Sequence, residues 1–476
     1  MRFFLFAKMP HSIPERPRDV RSPKHQNKLR ALAALSVLMC GKGFAAEFKA
    51  GFSSVDISTR QTLPMGGYGT FFLKTPRMNS AGIHDPLSAG AVLLETSAGK
   101  LAALVSVDAV GLSGTQISRI EKQLRETIDP QLHLMISATH THHSPDTLGL
   151  WGSLPRSGRN ADYARQIETA IVQAVRNAFA TRVPVKVTQR LGRHANDSTA
   201  SAEPQNIQDG FVSLTFRSQQ DGRVLGTLTQ WAAHPTVLGM ENNALSADYV
   251  GAFREVMARR LGRVPHLYFN GAIGKVYPLI PAADAVDVVD DLFPSGDRDP
   301  DVKDGYRFVS SVGLRFAESV LKAVETPLQD TSDDAFKACH VKVEFPVENR
   351  LFKLASNLKV VETPIRNGKI SSRVSSLQWG PVQFVSIPGE AFPKVFARVP
   401  ADVWQGRTPF LMALGQDWLG YFVDEEDYQR ADLKYWTDLS VHPQAARLLV
   451  ETLTNAVEAR NCTEWSDEAS EWTDAK

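Results

Sequence analysis

The sequence predicts an α/β protein: a mixed β-sheet core flanked by helices, in one large domain with a metal site at its strand ends. Three observations predict it. Apolar runs of strand length alternate with segments of helical spacing through most of the 476 residues, the pattern of sheets packed against helices. Several of those runs lead into a polar group, at Asp108, His140, His234 and Glu390, and strand ends are where sites gather in such sheets. The composition, 43% hydrophobic with 53 Lys+Arg against 52 Asp+Glu, excludes a disordered chain, a collagen-like fibre and a disulfide-dense mini-protein.

The elements follow in order. Residues 1–46 hold nine Lys/Arg and two acids, +7, which leaves 1 − 7 = −6 for the remainder. No basic stripe remains to mark nucleic acid as a partner. Lys28 and Arg30 precede an apolar run from Ala31 to Cys40, too short to span a bilayer. Small residues follow at Gly43, Ala45 and Ala46. This is the order of an export signal cleaved after Ala45 or Ala46, and it predicts a periplasmic or secreted protein. The alternating segment Phe48–Ile57 predicts a strand, and Leu63–Gly69 a Gly-rich loop. Ala91–Glu95 and Leu101–Val107 predict a hairpin, Ile117–Ile128 a helix, Leu132–Ala138 a strand and Tyr163–Ala180 a helix. A second hairpin is expected over Phe211–Phe216 and Val224–Ala232, then a helix over Tyr249–Leu261 and a short strand at His266–Phe269. Residues 280–304, rich in Asp and Pro, predict a loop. Helices are expected at Tyr306–Val324 and Ala445–Ala459, with a strand-rich region over 332–390 between them. No internal repeat is visible. The domain should run over 47–463, with an acidic, disordered tail over 464–476.

Beyond the leader two cysteines remain, Cys339 and Cys462. In an oxidising compartment they could pair; two free buried thiols are the other reading. Neither has the nearby cysteine of a zinc–thiolate site.

The segment Ala138-Thr-His140-Thr-His142-His143-Ser144-Pro145 carries the strongest chemical signal. A strand period of two would place His140 and His142 on one face, about 6–7 Å apart. Imidazoles so placed can share one zinc, or one can ligate while the other handles a proton. Trp231-Ala-Ala-His234-Pro235 puts another His after an apolar strand, where Pro235 stops the ladder. Phe384-Val-Ser-Ile-Pro388-Gly389-Glu390 does the same with a carboxylate. Taken singly, His234 could be structural, and Glu390 could be the first-turn acid of a helix.

Taken together the motifs resemble those of the neutral, or non-lysosomal, ceramidases, over the N-terminal catalytic domain of that family. The matches run in order: Met65-Gly-Gly-Tyr68, Gly82-Ile83-His84, Val105-Ser-Val-Asp108, Thr139-His-Thr-His142, His234-Pro235, Ser246-Ala-Asp-Tyr-Val-Gly251, Pro388-Gly-Glu390, and Tyr421 followed by Glu426-Asp-Tyr-Gln429. The resemblance implies one zinc ion held by His140, His234, Glu390 and Tyr421, a hard N₂O₂ donor set suited to that metal. It implies a catalytic role for His142 and a lipid or small-molecule amide as substrate, with peripheral contact to a membrane surface. The sequence also departs from the family. Its Asn-x-Gly-Asp-x-Ser-Pro loop reads Asn270-Gly-Ala-Ile-Gly274-Lys275-Val-Tyr277-Pro278 here, so Lys275 stands in place of the acid and Tyr277 in place of the catalytic Ser. Both are carried as catalytic candidates. An Asn-Arg-Ser-Pro segment and the family's C-terminal β-sandwich have no counterpart. The resemblance therefore implies an exported zinc-dependent amide hydrolase. The alternatives are a hydrolase of a different amide or an ester, and an inactive metal- or lipid-binding envelope protein. The intact ligand set favours an enzyme.

Overall fold

A computed structural model describes residues 48–69, 79–153, 155–197, 209–280, 303–329 and 335–463. The expected leader and acidic tail, and most of the expected loop at 280–304, lie outside the described residues.

In chain order the first strands are β1 (Lys49–Asp56), β2 (Ser88–Glu95), β3 (Leu101–Val107), β4 (His133–Ala138), β5 (Val183–Arg193), β6 (Asn196–Asp197), β7 (Gly210–Ser218), β8 (Val224–Trp231), β9 (His266–Asn270) and β10 (Tyr277–Pro278). After them come β11 (Glu325–Pro327), β12 (Phe336–Pro346), β13 (Lys369–Trp379), β14 (Val382–Ser386), β15 (Glu390–Ala391), β16 (Thr408–Met412) and β17 (Tyr421–Phe422). The principal helices of the first part are α1 (Gly114–Thr127), α2 (Ala161–Ala180), α3 (Tyr249–Leu261) and α4 (Lys303–Lys322).

A nine-stranded mixed sheet runs β4-β3-β2-β1-β5-β7-β8-β9, with β11 added beside β5. It is built from two topologically equivalent halves. One is β1-β2-β3-α1-β4-α2 and the other β5-β7-β8-α3-β9-α4. In each, three antiparallel strands are followed by a helix crossing to a parallel fourth, β3 beside β4 and β8 beside β9. The halves meet where Lys49 and Ala50 pair with Pro184 and Val183. This duplication leaves no trace in the sequence, because it repeats the order of elements and not the residues. Every residue of β3, β4 and β9 is buried, which explains why these strands read as unbroken apolar runs.

A second sheet, β12-β13-β14-β16, ends in a parallel β14–β16 pair. It packs face to face on the first through Trp379, whose ring stacks on Phe48 at 4.5 Å and Phe216 at 5.6 Å, and through Phe410, whose ring meets Phe269 of β9 at 5.5 Å. Such aromatic pairs add to their area burial and fix the geometry of the interface. Helices α1 and α2 cover the outer face of the first half, and α3 and α4 that of the second. Helix Ala445–Val457 covers the second sheet. Disulfide Cys339–Cys462, with Cα atoms 5.3 Å apart, ties the segment after that helix to β12.

The expected elements are present with shifted ends. Helix α1 begins at Gly114 because the Ser113 hydroxyl accepts from Gln116 N, and α2 at Ala161 because Asn160 accepts from Tyr163 N, both N-cap bonds. Strand β5 is an addition to the sequence reading. The strand-rich region contains a helix, Arg350–Asn357, started by Asn349, whose side chain accepts from Leu351 N and Phe352 N. Among the described residues, no helix is long and apolar enough to cross a membrane.

Candidate metal centre

The segment after β4 corrects the sequence reading. His140 and His142 are not alternate residues of a strand: β4 ends at Ala138, and His140 has φ 67°. A left-handed backbone at a non-glycine residue is uncommon and needs support from its surroundings. Here Thr139 N and His140 N donate to Val107 O and Ala109 O, at 2.8 and 3.0 Å. The Thr139 carbonyl also accepts from Asn270 Nδ2 at the end of β9. The chain therefore turns sharply, and the two imidazoles meet edge to face with ring centroids 4.8 Å apart.

Three candidate ligands of two types converge. His140 Nε2 lies 3.3 Å from Glu390 Oε2, and His234 Nε2 lies 3.0 Å from the same oxygen. The potential ligand atoms of His140, His234 and Glu390 all fall within 4.8 Å of one another, and all three residues are buried. On the far side of each ring a carbonyl fixes the orientation: Val110 O is 2.5 Å from His140 Nδ1, and Val276 O is 2.8 Å from His234 Nδ1. A backbone partner on Nδ1, leaving Nε2 for the ligand, is how metal-binding histidines are held. Tetrahedral zinc with ligands at about 2.1 Å would separate them by about 3.4 Å. The separations of 3.0 and 3.3 Å fit that spacing.

The three candidate ligands come from three places. His140 follows β4 of the first half-sheet and His234 follows β8 of the second. Glu390 opens β15 after the turn that leaves β14. Strand β15 pairs in parallel with β17, with Glu390 in register with Tyr421. Tyr421 is buried, and the Glu390 charge acts on its phenol. Glu390 is thus a strand residue and not the first-turn acid of a helix. Trp418 Nε1 donates to its other oxygen at 3.3 Å, a partner absent from the sequence reading.

Burial opposes charge on Glu390, but His140 and His234 outweigh it and hold the carboxyl well below the usual carboxylate range. Burial likewise favours neutral His140, and the Glu390 carboxylate overcomes it to raise its pKa. A buried carboxylate that draws positive charge onto its neighbours is a fitting environment for a divalent cation. Burial, and then the nearby His140 and His234, push His142 far down, so its ring stays neutral. His142 Nε2 is 3.3 Å from His140 Nε2. Tyr68 meets the His142 ring edge-on at 4.7 Å and donates to Thr236 O. Gly67, at φ 111°, leaves room for His142 where a Cβ would come within 2.3 Å of its ring.

The other candidates flank this centre. Tyr277 stacks on His234, with centroids 5.1 Å apart and planes 29° from parallel. Lys275, at φ 60°, places its ammonium 4.6 Å above the Trp436 ring. Asp108 lies apart from the ligand set. It accepts from Ser88 N at 2.8 Å and Thr139 Oγ1 at 3.1 Å, and pairs with Arg254 at 2.6 Å. Its role is to hold the turn that carries His140. Sequence reasoning missed Trp418, Tyr435 and Trp436, since a lone aromatic residue carries no spacing signal.

A buried His₂Glu centre at the strand ends of an αββα sandwich defines the class of protein. No protein-family model matches the sequence, and no curated protein sequence matches it. Solved structures do match. The neutral ceramidase from Pseudomonas aeruginosa superposes with a TM-score of 0.70 at 15% identity, covering 88% of this chain and 76% of that one. A structure described as ceramidase complexed with C2 gives 0.66 at 15% identity, with the same coverage. The chain has the neutral-ceramidase fold.

Proposed function

We propose that the protein is an exported zinc-dependent hydrolase of an amide bond, with an N-acyl lipid amide as the substrate class. The observation that carries this reading is the convergence of His140, His234 and Glu390, with both imidazoles aimed by carbonyls, inside a ceramidase fold. His140, His234 and Glu390 would hold the metal, with Tyr421 as the fourth ligand. Zinc in such a site supplies Lewis acidity toward a carbonyl and lowers the pKa of water. The chain's own residues supply the rest. Neutral His142 is placed to accept a proton from the attacking water and return it to the departing amine. In that hydrolysis the acyl carbon gains the water oxygen, the C–N bond breaks, and the amine leaves with a proton. The Tyr277 phenol, beside His234, can donate to the oxygen that gains charge. Its ring also fills volume that a small serine would leave open, which favours a narrower substrate than long-chain ceramide.

Export is supported by the basic and apolar leader in the sequence and by the Cys339–Cys462 disulfide, which persists in oxidising compartments. The deciding experiment measures zinc content by elemental analysis and assays N-acyl amides with and without a chelator. Stoichiometric zinc with chelator-sensitive release of free amine is expected. Zinc-loaded protein that cleaves no amide or ester would leave the inactive binding protein as the better reading.

A further inference from the structure

We propose that Lys275 is a substrate-recognition cation, and that the amide cleaved at this centre carries an anionic group near the scissile bond, as N-acyl amino acids do. The proposal rests on the hydrolase reading and names its substrate class.

The loop that presents Lys275 is fixed to the metal centre on both sides. Gly274 N donates at 2.9 Å to the carbonyl of Ala391, the residue after Glu390. Val276 O accepts from both His234 N, at 3.0 Å, and His234 Nδ1, at 2.8 Å. The next residue, Tyr277, stacks on the His234 ring. Between these anchors Lys275 has a positive φ of 60°, a conformation that costs a non-glycine residue free energy and clusters at functional sites. A glycine would fit that backbone more easily; a lysine is there instead.

The side chain is placed with equal definition. Its ammonium lies over Trp436, at a distance where a ring face attracts a cation. Trp436 contacts Tyr435 at 5.3 Å, and Tyr435 lies 6.5 Å from Tyr421. A row of aromatic rings therefore leads from a metal-ligand candidate to the cation. Among the described residues, no carboxylate forms an ion pair with Lys275. Asp432 and Arg430 both act on it electrostatically, but they pair with each other at 2.9 and 3.2 Å. Partial burial lowers the Lys275 pKa, with Asp432 opposing and Arg430 assisting. A partly desolvated ammonium, set over an aromatic ring on a loop anchored to the centre and without an ion-pair partner among the described residues, can be completed by an anion from the ligand.

The test uses the full-length, zinc-loaded protein and two matched substrates, N-dodecanoylglycine and its neutral glycinamide. The wild type should favour the anionic substrate by at least tenfold in kcat/KM. Lys275→Met should bring the ratio close to one, and Lys275→Glu should invert it. Binding of the non-cleavable dodecylsulfonyl analogues, measured by calorimetry, should show the same preference and the same loss. If neither amide is cleaved but the binding preference and its loss persist, the anion-recognition role of Lys275 stands and the hydrolase reading falls. If both amides are cleaved with no preference, or the preference survives in Lys275→Met, the proposal is overturned while the hydrolase reading remains.

Discussion

Glu390 and Tyr421 stand directly opposite each other in a two-residue parallel bridge, and both side chains are buried. The pairing brings residues 31 positions apart to one point without either belonging to a long strand. Burial, and then the Glu390 charge, raise the Tyr421 pKa well above its ordinary value, so without a cation the phenol keeps its proton.

Tyr421→Phe should therefore leave the fold intact and weaken the metal site. The ring contacts with Phe392 and Tyr435 remain, while one donor atom is lost. We expect zinc affinity to fall by at least about 10–100-fold, the range seen when ligand-supporting groups are removed. Competition with a chelator of known affinity measures it. Unchanged affinity would remove Tyr421 from the ligand set.

Much of this centre was legible in the sequence because His140, His234 and Glu390 each follow an apolar run, and chain order then matched a family pattern. What was not legible depends on three-dimensional closure. The left-handed turn at His140 is held by carbonyls of the last residue of β3 and of Ala109 beyond it, not by the residues around His140. The Trp418 contact with Glu390 joins a loop to a short strand whose approach no local pattern encodes. The repeated half-sheet went unseen for a similar reason: His234 and His140 occupy different strand ends in their halves, so their sequence contexts do not align. Strand β5 alternates at Val183, Val185 and Val187, a period-two signal that could have found it.

Asp417 gives a pH-dependent prediction. It is buried at the start of α1, where Oδ1 accepts from Gly114 N at 2.7 Å and Trp418 N at 2.9 Å. Burial nevertheless raises its pKa from 3.8 to about 6. Below pH 3.8 the group is protonated in both the folded and unfolded chain. As pH rises toward 6 the unfolded chain releases a proton that the folded chain retains, so this group's contribution to stability falls and then levels off. Asp417→Asn keeps the accepting oxygen without the charge. Relative to wild type it should gain stability between pH 4 and 7, by about 2–3 kcal/mol at the plateau. Denaturant midpoints at several pH values check this; a difference independent of pH would contradict it.

Removing the disulfide should act on stability and spare the metal. Cys339 and Cys462 are 123 residues apart in sequence, and closing so long a loop restricts the unfolded chain strongly. Cys339→Ala with Cys462→Ala should cost about 2–4 kcal/mol. Zinc content should be unchanged, because β13 separates β12 from β14, the strand that leads to Glu390. Denaturation together with elemental analysis tests both halves; loss of zinc in a folded variant would show that the bridge positions the centre.

Gly67→Ala should disable catalysis while leaving the metal in place. A Cβ at residue 67 would lie 2.3 Å from Cγ and 2.5 Å from Cβ of His142, far inside van der Waals contact. Nor does the backbone relieve the clash easily, since φ 111° is strained for alanine. His142 is hemmed in by the edge-on Tyr68 ring and by its own N–H bond to Pro235 O at 3.3 Å. The imidazole must therefore leave its place beside His140, and with it goes the proton transfer that contributes about 10²–10⁴-fold to such reactions. His140, anchored through Val110 O, should stay, so zinc content should match wild type. His142→Ala provides the comparison, because it removes the imidazole without straining the loop. If both changes act through the same ring, the double variant should be no slower than His142→Ala alone. Additive losses, or a Gly67→Ala protein with wild-type turnover, would mean that the glycine serves the loop and not the histidine.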